Sequence, residues 1–322
     1  MSYTLYRNNF QNCLELVVSS MLIRNNIPPY KIWNQAGLFF KELEEGWLLT
    51  PYYWSIKRYM IQNGIDYTEE YYKSVNDLIS GLVNVVASGH SVGVLLDVFE
   101  LPYSMYHQEY HDVHAIEIVQ VQNHVFEIYD HYYHYHGHLE IEQLKKAINS
   151  YMDFYEKEKT HYFYIKAQNN KFIRKDEVIL NNFSVMNGNH IKDLVEKASN
   201  GGYVGLSAAP YIKDTILQLL NYDKDEVEYS INDMFKDLKE ISFSRQNYYD
   251  FLNKISTVKF ASDVQEASQS WAVTANMILL ANVSGDQKGM IPRIVKRIDR
   301  SFEHEMRVNE KIETYLKETL LI

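Results

Sequence analysis

Gln11-Asn12-Cys13-Leu14-Glu15-Leu16-Val17-Val18-Ser19-Ser20-Met21-Leu22 is the stretch whose reading decides the fold. Leu14, Val17, Val18, Met21 and Leu22 recur at helical spacing, so a helix here buries one face and holds its first turn rigidly. Asn25, Asn26, Pro28 and Pro29 end it. Cys13, the chain's single cysteine, falls in that first turn. The positive end of the helix dipole favours a thiolate there, which is what a nucleophile requires.

A nucleophilic cysteine needs a base and a group that orients the base. Working outward, His111-Asp112-Val113-His114-Ala115-Ile116-Glu117-Ile118-Val119-Gln120-Val121 reads as a strand. His114 shares its parity with Ile116 and Ile118, which puts the imidazole on a core face, and the first helix is the element expected to cover it. Gln122-Asn123-His124 makes a tight connection, and Val125 to Tyr129 returns antiparallel. Asp130 then stands level with His114. In this arrangement Cys13 is the nucleophile, His114 the base and later the acid, and Asp130 the orienting carboxylate. The Cys13 N–H and one side-chain amide, from Gln11, Asn12 or Asn9, would hold the oxyanion.

The composition fits a folded protein: 322 residues, 46 % of them hydrophobic, with six prolines, are enough for two domains. A net charge of −10 without a long basic stripe argues against nucleic acid or an anionic membrane as partner, and suits amine-bearing substrates. No apolar run reaches the length of a membrane span, and Met1 to Arg7 lacks the pattern of a signal peptide. The expectation is a soluble, cytoplasmic protein. A single cysteine excludes an intrachain disulfide and fits a reducing compartment.

Other elements follow in order. Leu38-Phe39-Phe40 and Trp47-Leu48-Leu49 read as extended, Tyr52 to Asn63 as a helix closed by Gly64, and Ser74 as the cap of a helix reaching Ala87. Val92 to Phe99 is a near-continuous apolar run of the kind found in central strands. Ile141 to Tyr151 reads as helix and His161 to Ile165 as a strand. The character then changes, giving a first domain over 1–167, a polar linker over 168–188 and a helical domain over 189–322. Candidate helices there are Ile191–Ala198, Tyr211–Leu220, Ile231–Leu238, Gln246–Ile255, Val264–Ala281 and Ile291–Leu320. The last carries Arg293, Lys296, Arg297 and Arg300 between Ile294, Ile298 and Phe302, an amphipathic helix with a basic face.

Competing readings concern the same region. His111 and Asp112 form an alternative pair in the loop before the strand, where a base is held less firmly than on the strand itself. Glu15 reads as a surface acid favoured by the helix dipole rather than a base. The tract His131-Tyr132-Tyr133-His134-Tyr135-His136-Gly137-His138 has alternating histidines, yet no second cysteine or HExxH-like helix accompanies it. It reads as a loop lining the substrate pocket, and neither a metal nor another cofactor is expected.

Asn12-Cys13-Leu14-Glu15, Gly93-Val94-Leu95-Leu96-Asp97 leading to Leu101-Pro102-Tyr103, His114-Ala115-Ile116-Glu117-Ile118-Val119 and Val125-Phe126-Glu127-Ile128-Tyr129-Asp130 together resemble the N-terminal domain of the butirosin biosynthesis protein H family. Phe243 to Leu252 and Ser270-Trp271 resemble the helical domain that often follows it. The resemblance implies an α+β, papain-like cysteine-peptidase fold, with its N-terminal helix packed on an antiparallel sheet, followed by a mainly α-helical domain. It further implies an acyltransferase of antibiotic biosynthesis. Such an enzyme takes an acyl group from an acyl carrier protein thioester onto Cys13 and passes it to a small-molecule amine, with Cys13, His114 and Asp130 as the triad. A hydrolase or cyclase on the same triad, or a degenerate scaffold that binds a carrier protein, are the alternatives. The basic face of the last helix reads first as an ordinary solvated face, with docking of an acidic carrier protein as the alternative. This chain departs from the family pattern at Gln120-Val121-Gln122, at His131, where a proline commonly follows the aspartate, and around Arg245, where preceding glycines are absent.

Overall fold

A computed structural model describes residues 4–168, 171–189, 201–222, 224–255 and 258–320. The chain is mixed α+β, with antiparallel sheets and a helical C-terminal region. It divides into two compact units: Met1–Pro29 with Ile56–Phe172, and Tyr30–Ser55 with Ile173–Ile322. Among the described residues no helix is long and apolar enough to cross a membrane.

In the first unit a six-stranded, fully antiparallel sheet runs in the order β3-β8-β4-β5-β6-β7. These strands are β3 (Ile65–Tyr72), β4 (Val92–Asp97), β5 (Val113–Gln122), β6 (Val125–Asp130), β7 (Tyr135–Glu140) and β8 (Thr160–Gln168). Gly93 suits its place in β4, because a Cβ there would run into the ring of Phe163 on β8. Four helices belong to this unit: α1 (Cys13–Arg24), α2 (Ile56–Gln62), α3 (Val75–Ala87) and α4 (Ile141–Phe154). Ser74 caps α3 by accepting the Asp77 N–H. β3 and β7 lack a clear period-2 apolar pattern and were not expected from sequence, and β7 takes up half of the histidine tract.

Both faces of β5 are covered, and one expectation is corrected here. Ile116 and Ile118 pack with Leu78 and Leu82 of α3 and with Leu144 and Ile148 of α4, not under α1. Each such side chain, fully buried, stabilises the fold by about 2 kcal/mol relative to exposure. α1 lies against β5, β4 and β8, and its last-turn Arg24 pairs with the buried Glu117 of β5 and donates to Ser91. Alternation in a sequence shows that a face is covered; it does not show by which helix.

The second unit holds a three-stranded antiparallel sheet of β1 (Phe39–Glu42), β2 (Trp47–Thr50) and β9 (Tyr203–Val204), in the order β2-β1-β9. Its helices are α5 (Lys175–Met186), α6 (Ala209–Asn221), α7 (Lys224–Ile255), α8 (Ala261–Ser284) and α9 (Gln287–Leu320). The domain boundaries therefore differ from the sequence reading: Tyr30–Ser55 belongs with the later part of the chain, and the expected linker contains a full helix. Its scattered apolar residues explain this, since Val178, Ile179 and Val185 are all buried. The two helices expected over Ile231–Leu238 and Gln246–Ile255 are one continuous helix, α7. The helix expected over Ile191–Ala198 lies outside the described residues. On α9, Ile294, Ile298 and Phe302 are buried in the helical core, in keeping with the amphipathic reading.

Arg245 of α7 is 2 % exposed, and every nitrogen is engaged. Its Nε donates to Glu305 at 2.8 Å, Nη1 donates to the Gly37 carbonyl at 2.7 Å and to Ser244, and Nη2 approaches Met186 Sδ. Trp271 Nε1–H donates to the same Glu305 oxygen at 2.7 Å. Arg245 is thus the ionic centre of the second unit's core.

Candidate active site

Local sequence places Cys13. Asn12 is the N-cap of α1: its side-chain oxygen accepts the Glu15 N–H at 2.9 Å, and the Glu15 carboxylate accepts the Asn12 N–H at 3.1 Å. This capping box takes up two donors at the helix start and leaves the Cys13 N–H to the site. Glu15 is not on the surface as expected but 2 % exposed, because its carboxylate folds back onto the Asn12 N–H as the acid of the capping box. Cys13 itself is part exposed.

His114 sits at the second position of β5 and Asp130 at the last of β6, both buried. His114 Nε2–H donates to Asp130 Oδ2 at 2.7 Å. His114 also shares a side-chain hydrogen bond with Cys13. Burial alone would pull the His114 imidazole down, but the negative charges of Cys13 and Asp130 and hydrogen bonds to both override it and push the group up to about 10. The three residues expected from sequence are therefore brought together in one hydrogen-bonded chain.

Asp130 is more heavily braced than sequence reasoning anticipates. Its Oδ1 accepts the N–H groups of Tyr132 at 3.1 Å and Tyr133 at 3.0 Å, and Tyr103 donates its hydroxyl to Oδ2 at 3.2 Å. Tyr103 stacks on Tyr135 at 3.8 Å, and burial, then the charge of Asp130, holds its phenol well above the ordinary range. Nothing in the sequence spacing marks Tyr103, 27 residues before its partner.

The three oxyanion candidates are distinguished. Asn9 is exposed on the turn before α1. Asn12 is the helix cap. Gln11 is 4 % exposed, and its carbonyl oxygen accepts from Ser19 at 2.9 Å, which fixes the orientation of the amide two residues from Cys13.

The alternative pair also finds a place, with a different partner. His111 Nδ1–H donates to Asp97 Oδ2 at 2.6 Å, not to Asp112, and the ring lies between Phe99 and Phe154, each with centroids 4.1 Å away. Asp97 also accepts from Ser150 and from the N–H groups of Phe99 and Asp112. That arrangement pins the loop leading into β5.

His131 follows Asp130 directly, and its role is legible in its bonds. Nδ1 accepts the Tyr6 N–H at 3.0 Å, and Nε2–H donates to Glu117 at 2.9 Å, so the ring is held neutral. Burial and then the Arg24 guanidinium lower it to about 4. The sign follows: a folded value below the ordinary 6.5 adds stability above pH 6.5, and that contribution, on the order of 3 kcal/mol at most, is lost as pH falls through about 4. Protonation must break the Tyr6 bond. Hydrogen exchange at the Tyr6 amide should therefore accelerate between about pH 6 and pH 4 beyond its intrinsic pH dependence, and His131→Ala should show fast exchange throughout.

Elsewhere in the histidine tract, His136 Nε2–H donates to Glu127. Among the described residues no group of three or more His, Cys, Asp or Glu side chains is placed to hold a metal ion. Tyr132 and Tyr133 bring their rings to His114, so this part of the tract lines the site.

Compared with known proteins, the sequence matches no protein-family model and no curated protein.

Proposed function

We propose that the first unit is a papain-like acyl-transfer module in which Cys13 is the nucleophile, His114 the acid and base, and Asp130 the orienting carboxylate. The observation that carries this reading is the hydrogen-bonded chain from Cys13 through His114 to Asp130, with the cysteine at a capped helix start. In loading, the Cys13 thiolate attacks a thioester carbonyl, the carbon–sulfur bond of the donor breaks, and the His114 imidazolium protonates the leaving thiolate. An amine then attacks the acyl-Cys13 carbonyl, neutral His114 takes the amine proton, and Cys13 leaves as thiolate. The Cys13 N–H and the Gln11 amide are the groups proposed to hold the oxyanion.

The donor we infer is an acyl carrier protein thioester and the acceptor a small amine, in a cytoplasmic enzyme of secondary metabolism; the family resemblance supports the donor, and the net charge of −10 suits the amine. Incubation with simple acyl thioesters, followed by intact-protein mass measurement, tests it. The wild type should gain one acyl mass, and Cys13→Ala should gain none. An equal gain in both would place the acyl group elsewhere and end the proposal. Water resolving the acyl-enzyme as fast as any amine would make the protein a hydrolase instead.

A further inference from the structure

Acyl transfer by Cys13, His114 and Asp130 requires no aromatic side chain, yet several gather on one flank of the imidazole. The carboxylate that orients His114 also places two of them, because Asp130 Oδ1 accepts the Tyr132 and Tyr133 N–H groups at 3.1 and 3.0 Å. Tyr132 meets the imidazole edge to face with centroids 5.8 Å apart, and Tyr133 lies at 4.9 Å. The two tyrosine rings stand at 86° to each other with centroids 5.3 Å apart, forming a corner. Ser104 hydrogen-bonds Tyr133, and Tyr106 stands close by. Buried aromatic rings in a core need no explanation, but these open to solvent: Tyr132 is 52 % exposed and Tyr106 39 %, with Val113, the residue before His114, at 37 %. Exposed aromatic side chains held against a catalytic-type imidazole are placed to meet a ligand.

Position says which part of a substrate they meet. His114 takes the proton of the group that attacks the acyl-enzyme, so a wall on the flank of the imidazole faces the incoming acceptor, while the acyl chain is carried on Cys13. A flat ring suits a corner of two tyrosines, which offers one face for stacking and one edge.

We propose that the acceptor is an amine that bears an aromatic ring, seated on Tyr132 against Tyr133 and Tyr106, and that Tyr132 sets this preference. The inference rests on the acyl-transfer reading of Cys13. The chemical step is aminolysis: the amine nitrogen forms a bond to the thioester carbonyl carbon, the carbon–sulfur bond to Cys13 breaks, one amine proton passes to His114, and an amide is released.

The wild-type protein is first loaded from a simple acyl thioester, and loss of the acyl mass is then followed with 2-phenylethylamine or with propylamine at equal concentration. The aromatic amine should remove the acyl group about tenfold faster, the size expected for one or two well-placed ring contacts. Tyr132→Ala should bring the ratio of the two rates toward one, and Tyr132→Phe, which keeps the ring and loses the hydroxyl, should preserve it. Tyr132 is exposed, so folding of the alanine variant is not at risk. A loaded enzyme that treats the two amines alike, or a Tyr132→Ala variant with an unchanged ratio, overturns this inference and leaves acyl transfer standing. Failure of Cys13 to load from any thioester overturns both.

Discussion

His114→Ala is expected to slow the proposed acyl loading of Cys13 by about a thousandfold, the scale of lost general acid–base catalysis. The argument starts from charge. Interactions with Cys13 and Asp130 outweigh burial and raise the His114 group to about 10, which keeps the ring charged through the physiological range. Alanine removes both the partner of the thiolate and the acid that protonates the leaving thiolate. The fold should survive, because Asp130 keeps its three other donors, the Tyr132 and Tyr133 N–H groups and the Tyr103 hydroxyl. Asp130→Asn should have a smaller effect, since the ring remains but loses the carboxylate that holds its charge and orientation. Single-turnover loading measured by intact mass, with circular dichroism on each variant, checks both. A His114→Ala variant that loads at the wild-type rate would remove His114 from the mechanism.

Arg245→Met destabilises the second unit by about 3 to 5 kcal/mol, the penalty for leaving one member of a buried ion pair. Glu305, 4 % exposed, would keep a single donor, the Trp271 indole N–H, and the Gly37 carbonyl would lose the Arg245 N–H that it accepts. For a unit of this size that corresponds to a fall in Tm of about 10 °C or more. The double variant Arg245→Met with Glu305→Leu should recover much of the loss, because two apolar side chains of similar volume need no charge partner. Thermal unfolding of the three proteins decides it. An unchanged Tm in Arg245→Met would mean that the pair holds nothing together.

The site was readable where local patterns determine structure. Asn12 and Glu15 are three residues apart before an apolar run, which is a helix-start signal, and it positions Cys13. Alternation in Val113–Gln122 and the tight connection at Asn123-His124 gave a hairpin, and the hairpin brings Asp130 to His114. A shift in register between Ile118 and Gln120 did not spoil that approach.

What the sequence concealed depends on long-range choice of partner. Ile116 and Ile118 announce a covered face, but the covering helices are α3 and α4, and only the folded chain decides between them and α1. His111 stands beside Asp112 in sequence yet binds Asp97, 14 residues earlier at the end of β4. Tyr30–Ser55 carries apolar strands like those of the first unit, and pairing of β1 with β9 assigns it to the second. His131 looked like one histidine of a repeat, and its neutral ring clasps Tyr6 and Glu117 instead.

The central claim is that Cys13 works as a thiolate paired with His114, and the pH dependence of Cys13 alkylation tests it most directly. An ordinary thiol, with a value near 8.5, loses about tenfold in alkylation rate for each pH unit below that value. Wild-type Cys13 should instead alkylate at a nearly constant rate between about pH 6 and pH 9. His114→Ala should fall back to the ordinary profile and be about a hundredfold slower at pH 6. A wild-type profile that rises tenfold per unit, superimposed on that of His114→Ala, would contradict the ion pair and with it the acyl-transfer reading.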